Sequence, residues 1–117
     1  MKHTPIYLER FLRTDGSMPE ERQEVFALLM LGLFDSLESG VLSPADAVAI
    51  CFHADNCRFV SSVLKSADAE EVMERGTQLA DLFDALTPEE AKRECAAEVA
   101  AMRNCCLAML GHERLVA

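Results

Sequence analysis

Apolar and polar positions along this chain recur with a helical period almost everywhere, and one stretch breaks the alternation. Val25 through Phe34, reading VFALLMLGLF, holds ten consecutive residues without a polar side chain. A helix of that composition is hydrophobic all round and calls for burial on every side. About 20 apolar residues are needed to cross a bilayer, so the run predicts a core helix and not a membrane span. The other segments are expected to pack around it.

Start and stop signals frame that helix and its neighbours. Ser17-Met18-Pro19-Glu20 has capping-box spacing, Ser17 capping and Glu20 reaching back. Glu20, Glu21 and Glu24 carry the sign favoured at the positive end of a helix dipole. Gly40 is the expected left-handed residue after the helix end. Upstream, Thr4-Pro5 predicts a cap and first position for a short helix to about Arg13. Its apolar lid is Ile6, Phe11 and Leu12, and Thr14-Asp15-Gly16 ends it. Downstream, Ser43-Pro44-Ala45-Asp46 starts a helix to about Phe52. His53-Ala54-Asp55 is a corner, with Asp55 capping a helix from Asn56 to about Lys65. Asp68, with Glu71 at the capping-box position, opens a helix over about Ala69 to Ala85. Thr87-Pro88-Glu89-Glu90 starts the last, which runs to about Leu110 with Gly111 at its end.

Two of these helices carry stripes at alternating intervals of four and three, the spacing of a single face. They are Val72, Gly76, Leu79, Phe83 and Leu86, and then Ala91, Cys95, Val99, Met102, Cys106 and Met109. No segment shows sustained period-two alternation, and no repeat or linker divides the chain. The pattern predicts an all-α fold, a compact bundle of five to six helices around a central buried helix at about 18–39. Residues 1–117 read as a single helical domain. Gly32 and Gly76 each interrupt a strong helical pattern, at a cost of about 1 kcal/mol relative to alanine. Close backbone approach, with the two helices crossing near both glycines, is the expected compensation.

Charge narrows the partners. Eleven Lys+Arg against 20 Asp+Glu leave a formal net charge of −9, which repels phosphate backbones and anionic headgroups. Nucleic acid and membrane are therefore not expected as partners, whereas a protein partner or a second copy is. The five cysteines are an odd number, and no apolar leader follows Lys2 and His3. A disulfide framework is not expected, and a reducing, cytoplasmic compartment is.

Cys51, His53 and Cys57, in CFHADNC, form the densest set of candidate ligands. A tetrahedral zinc site would need a fourth from His112, Cys95, Cys105 or Cys106, and no paired C-x-x-C supports one. The simpler reading is two core cysteines and a corner histidine, with no metal and no cofactor. Cys57 near a helix start beside His53 is a candidate nucleophile, but Asp55 works against thiolate formation and no oxyanion-hole pattern accompanies it. The carboxylates Glu70, Glu71, Glu74 and Asp81, and Glu90, Glu94 and Glu98, fall on polar helix sides and read as solvated faces. No phosphate loop, H-E-x-x-H or EF-hand loop is present.

At the same glycines the sequence resembles a family of small bacterial proteins carried as a domain of unknown function. The matching pieces are Gly32-Leu33 followed by Ser39-Gly40-Val41-Leu42-Ser43, and Gly76-Thr77-Gln78-Leu79-Ala80-Asp81. They lie between Val25 and Leu86, and the cysteines and His53 of the Cys51–Cys57 segment depart from the pattern. The resemblance implies a fold and no activity.

Together these observations predict a non-catalytic protein-interaction module, not an enzyme, acting on a protein partner or as a homodimer. The Met- and Ala-rich last helix, with Met102 and Met109, is the expected interface. A basic toxin or nuclease would suit the acidic surface. The alternatives are a metal-binding or thiol-dependent protein using Cys51, His53 and Cys57, or a carrier of a small apolar ligand beside Phe26, Leu29 and Phe34.

Overall fold

A computed structural model describes residues 4–12 and 18–111. Among them every regular element is helical, as the period predicts. In order these are α1 (Glu9–Leu12), α2 (Pro19–Glu38), α3 (Pro44–Ile50), α4 (Ala54–Phe59, continued by a π turn over Val60–Leu64), α5 (Ala67–Thr77), α6 (Leu79–Ala85) and α7 (Pro88–Met109). The long α7 lies against both α2 and α5 and meets α6 near its start, while α3 packs on α5 and α6. The core between them holds Phe26, Phe34, Phe52, Leu64, Leu79 and Met102, all closed to solvent.

Local chemistry accounts for most helix ends. Ser43 and Asp46 form a reciprocal capping box at α3, with Pro44 in the first turn. Thr87 Oγ1 accepts from Glu90 N–H at α7 (3.3 Å). Gly40 (φ +81°) and Gly111 (φ +75°) take the left-handed conformation that follows a helix. The start of α2 differs from expectation. Met18 holds the cap position without a side-chain bond, and the predicted cap Ser17 lies outside the described residues. Two further caps sit elsewhere than predicted. His53, not Asp55, caps α4 through Nδ1, and Ser66, not Asp68, caps α5 through Oγ. Asp55 instead pairs with Arg58.

The predicted helix over about Ala69 to Ala85 is two helices. Gln78 (φ −97°, ψ −6°) separates α5 from α6, and its N–H turns to Arg75 C=O, three residues back. The break lets α6 swing onto α3. Among the described residues the predicted Pro5–Arg13 helix is only the single turn α1, because residues 4–7 are non-helical; Arg13 and the expected stop at Thr14-Asp15-Gly16 lie outside them. Leu8 and Leu12 bury there, whereas Ile6 and Phe11 stay exposed.

The largest correction concerns the apolar run. Only Phe26, Ala27, Met30 and Phe34 of α2 are buried. Val25, Leu28 and Leu29 are 42%, 59% and 41% exposed, and Gly32 beside them is exposed too. So α2, although it meets α1, α3, α5, the π turn and α7, keeps one side open to solvent. The proposed crossing at two glycines fails too. A Cβ added at Gly32 meets nothing within 4 Å, whereas one at Gly76 would stand 2.6 Å from Phe52 Cγ and closer still to Cδ1 and Cε1. The close approach at Gly76 is real, but it is made by a ring from the end of α3 and not by α2.

Candidate functional site

The segment from Cys51 to Cys57 turns the chain from α3 into α4, and the turn sends its reactive side chains different ways. Cys51 is buried, with Sγ 4.0 Å from Met30 Sδ. The His53 ring bridges Asn56 N–H and Ile6 C=O. Cys57 is half-buried in the first turn of α4. Among the described residues no three ligand-type side chains converge as a metal site would require; His112 lies outside them. Burial, with Cys57 adding to it, pushes the Cys51 thiol up to about 12, and burial raises Cys57 as well. Neither has the depressed pKa of an activated nucleophile.

The other thiols behave alike. Burial, then a bond to Glu71 Oε2 (3.2 Å), pushes Cys105 up to about 11. Burial and the neighbouring Cys105 take Cys106 to about 12, and burial and Glu98 raise Cys95. In the native protein a thiol-exchange reagent at neutral pH is expected to modify half-buried Cys57 and Cys95 first, and buried Cys51, Cys105 and Cys106 only as the chain unfolds. The sign for alkali follows. Folded pKa values above the ordinary 9.0 leave the stabilisation intact below that value and remove it as pH rises toward about 12. Thermal melts in reductant across that range check it.

The polar sides of α5 and α7 are joined by a clasp. Arg75 binds Glu71 (3.2 Å) and reaches across to Glu98. The bonds from Cys105 and then Arg75 hold the Glu71 carboxyl below the usual carboxylate range. Arg103 ties α7 to α2 through Asp35 (3.3 Å) and Glu38. Glu70, Glu74, Asp81, Glu90 and Glu94 are exposed, as the spacing predicts.

Three surface features remain. One is a groove of about 720 Å³ between the end of α2, the start of α3, Phe83 and α7, walled by Leu37, Leu42, Val99 and Ala100, with Lys92 and Arg103 on its lining. An apolar-ligand cavity was expected beside Phe26, Leu29 and Phe34. Those residues do not line this groove: both phenylalanines are closed in the core and Leu29 faces out. The second is the outer face of α2, where Val25, Leu28, Leu29 and Gly32 follow one another at helical spacing. On α7, where an interface was expected, Met102 is wholly buried and Met109 half-buried.

The third was not anticipated. Asn56, 1% exposed, is the buried polar residue of the described core. Its Oδ1 accepts from Leu8 N–H (2.9 Å), and its Nδ2 donates to Ile6 C=O and Cys51 C=O (both 2.8 Å). A signal for it existed. Asn56 falls on the stripe of Phe59, Val60, Val63 and Leu64, where a polar residue must find partners.

These features describe an all-helical protein whose unusual surfaces are apolar faces and whose thiols are quiet. Among the described residues no helix is long and apolar enough to cross a membrane. The chain belongs to the family described as Protein of unknown function (DUF3969), which matches residues 17–113. Comparison with curated proteins and with solved structures gives no match.

Proposed function

We propose that this protein is a non-catalytic interaction module that pairs with a second copy of itself through the outer face of α2. The observation that carries the reading is Gly32. It sits mid-helix, exposed, with open space where its side chain would be. A glycine there costs about 1 kcal/mol of helix stability, and among the described residues nothing packs against it to offset that. A helix of another molecule passing close by would.

The face is self-complementary. Its first half is bulky, with Val25, Leu28 and Leu29, and its second half is small, with Gly32 and Ser36 one turn apart. In an antiparallel pair the bulky half of each α2 lies over the small half of its partner. Such an arrangement closes as a two-fold dimer, the commonest soluble symmetry. The charge of −9 on each copy opposes the approach, so added salt should strengthen it.

Gly32→Ala separates the two consequences. The monomer gains about 1 kcal/mol from helix propensity, since no atom stands in the way. The dimer weakens, because the methyl holds the helices apart. Sedimentation equilibrium and thermal melts at two salt concentrations measure both, and Leu28→Glu is expected to give a monomer throughout. A wild-type chain that stays monomeric at high concentration and high salt would overturn self-association. The acidic rim of Glu21 and Glu24 would then favour a basic partner on the same face.

A further inference from the structure

The bonds around Asn56 have the form of peptide recognition. Residues 4–12 cross the α3–α4 corner as a strap. Ile6 N–H donates to Ile50 C=O (2.8 Å), and Leu8 N–H donates to Asn56 Oδ1. Ile6 C=O accepts from Asn56 Nδ2 and from His53 Nε2 (2.9 Å). His53 Nδ1 accepts from Asn56 N–H (3.4 Å), so the hydrogen-bond network places the ring proton on Nε2, as donor to the strap. All of these bonds are to the strap's main chain and read none of its side chains. Specificity comes instead from Leu8 and Leu12, each 1% exposed, and from the Tyr7 ring tilted against His53 (centroids 5.2 Å apart), while Ile6 and Phe11 remain outside. Main-chain bonds for affinity and side-chain pockets for selection are how proteins bind short segments.

The strap also has the character of a ligand. Its helix α1 is one turn of four residues, too short to form without a template. The family match covers residues 17–113, so the corner that supplies Ile50, His53 and Asn56 belongs to the matched domain and the strap does not. We infer that the α3–α4 corner is a peptide-binding cradle, filled in cis by residues 4–12, and that it accepts in trans a segment of the same chemistry. That segment has a non-helical start followed by one helical turn, with leucines four apart. The strap is then an intramolecular competitor that sets the threshold for the partner. Tethering gives it a high effective concentration, so a free peptide should bind poorly until the strap is weakened.

The test uses a fluorescein-labelled synthetic peptide with the sequence of residues 4–12 and the full chain carrying Leu8→Ala and Leu12→Ala, which weaken the strap and replace no cradle residue. Fluorescence polarisation is expected to show saturable binding at least tenfold tighter than to the wild-type chain. Adding Asn56→Ala should weaken it at least tenfold, and a peptide with both leucines replaced by alanine should not bind. Equal binding to wild type and variant, or none to a variant that circular dichroism shows folded, overturns the proposal. Should the variant unfold, hydrogen exchange on the wild-type chain decides. The Ile6 and Leu8 amides must exchange at least tenfold faster than those of Met102 and Cys106. Equal rates would mean that the strap leaves only when the whole molecule unfolds, and the cradle would not be a binding site.

Discussion

Replacing Asn56 with alanine is expected to remove about 3 kcal/mol or more of folding stability. The side chain is 1% exposed and answers three main-chain groups. Ile6 C=O would keep its bond to His53. Leu8 N–H and Cys51 C=O would lose theirs, and a buried group left unpaired costs about 1–3 kcal/mol. The vacated volume adds to that. A domain of ordinary stability, about 5–15 kcal/mol, would survive but melt about 10 °C lower. Urea titration and a thermal scan followed by circular dichroism measure it. Asn56→Asp makes the comparison sharper: it keeps an acceptor for Leu8 but aims a carboxylate at two carbonyl oxygens, so it should fare no better. A loss under 1 kcal/mol for alanine would mean that the strap contributes little to the native state.

Gly76→Ala is expected to be destabilising by about 1–3 kcal/mol, the usual range for forcing atoms into a packed core. That figure is net of the roughly 1 kcal/mol an alanine would otherwise contribute to a helix. The new methyl would lie 2.6 Å from Phe52 Cγ, the root of the ring, so a change in ring rotation alone cannot clear it. Phe52 is itself 2% exposed and has no room to retreat. Phe52→Ala removes Cγ together with the ring, so a double-mutant cycle by chemical denaturation would show coupling of opposite sign to the single effect. The contrast with Gly32→Ala is instructive, because one substitution is predicted to stabilise the monomer and the other to damage it. Glycine in two helices of one chain thus carries opposite meanings, set by what lies opposite.

Much of the helical grammar was legible because it is local. The cap at Ser43, the cap at Thr87 and the left-handed glycines at 40 and 111 depend on residues within four positions of each other. The stripe of Ala91, Val99, Met102 and Cys106 turned inward for the same reason: a long helix against a bundle buries its one apolar face. Where two polar residues competed for a cap, the rule did not choose. His53 prevailed over Asp55, and Ser66 over Asp68, because the path of the incoming chain decides which side chain meets the free N–H groups. The candidate cluster of Cys51, His53 and Cys57 was visible as composition, and core cysteines with a corner histidine was the simpler reading of it; the direction of each side chain was not legible, since three residues at a corner can point anywhere.

The sequence by itself determined an all-helical chain, its acidic character, the stops and starts of its long helices, and cysteines suited to a core. These follow from backbone geometry, propensity and charge, which act over a few residues. Only the tertiary structure decided that one side of the apolar run, with Val25, Leu28 and Leu29, turns outward, that Gly76 faces Phe52, and that Asn56 clasps the strap. Burial on all sides requires neighbours on all sides. An apolar run states the demand for cover, but how much of it other helices meet depends on where they are placed. Here α7 and its companions cover one side of α2, and the other is left open.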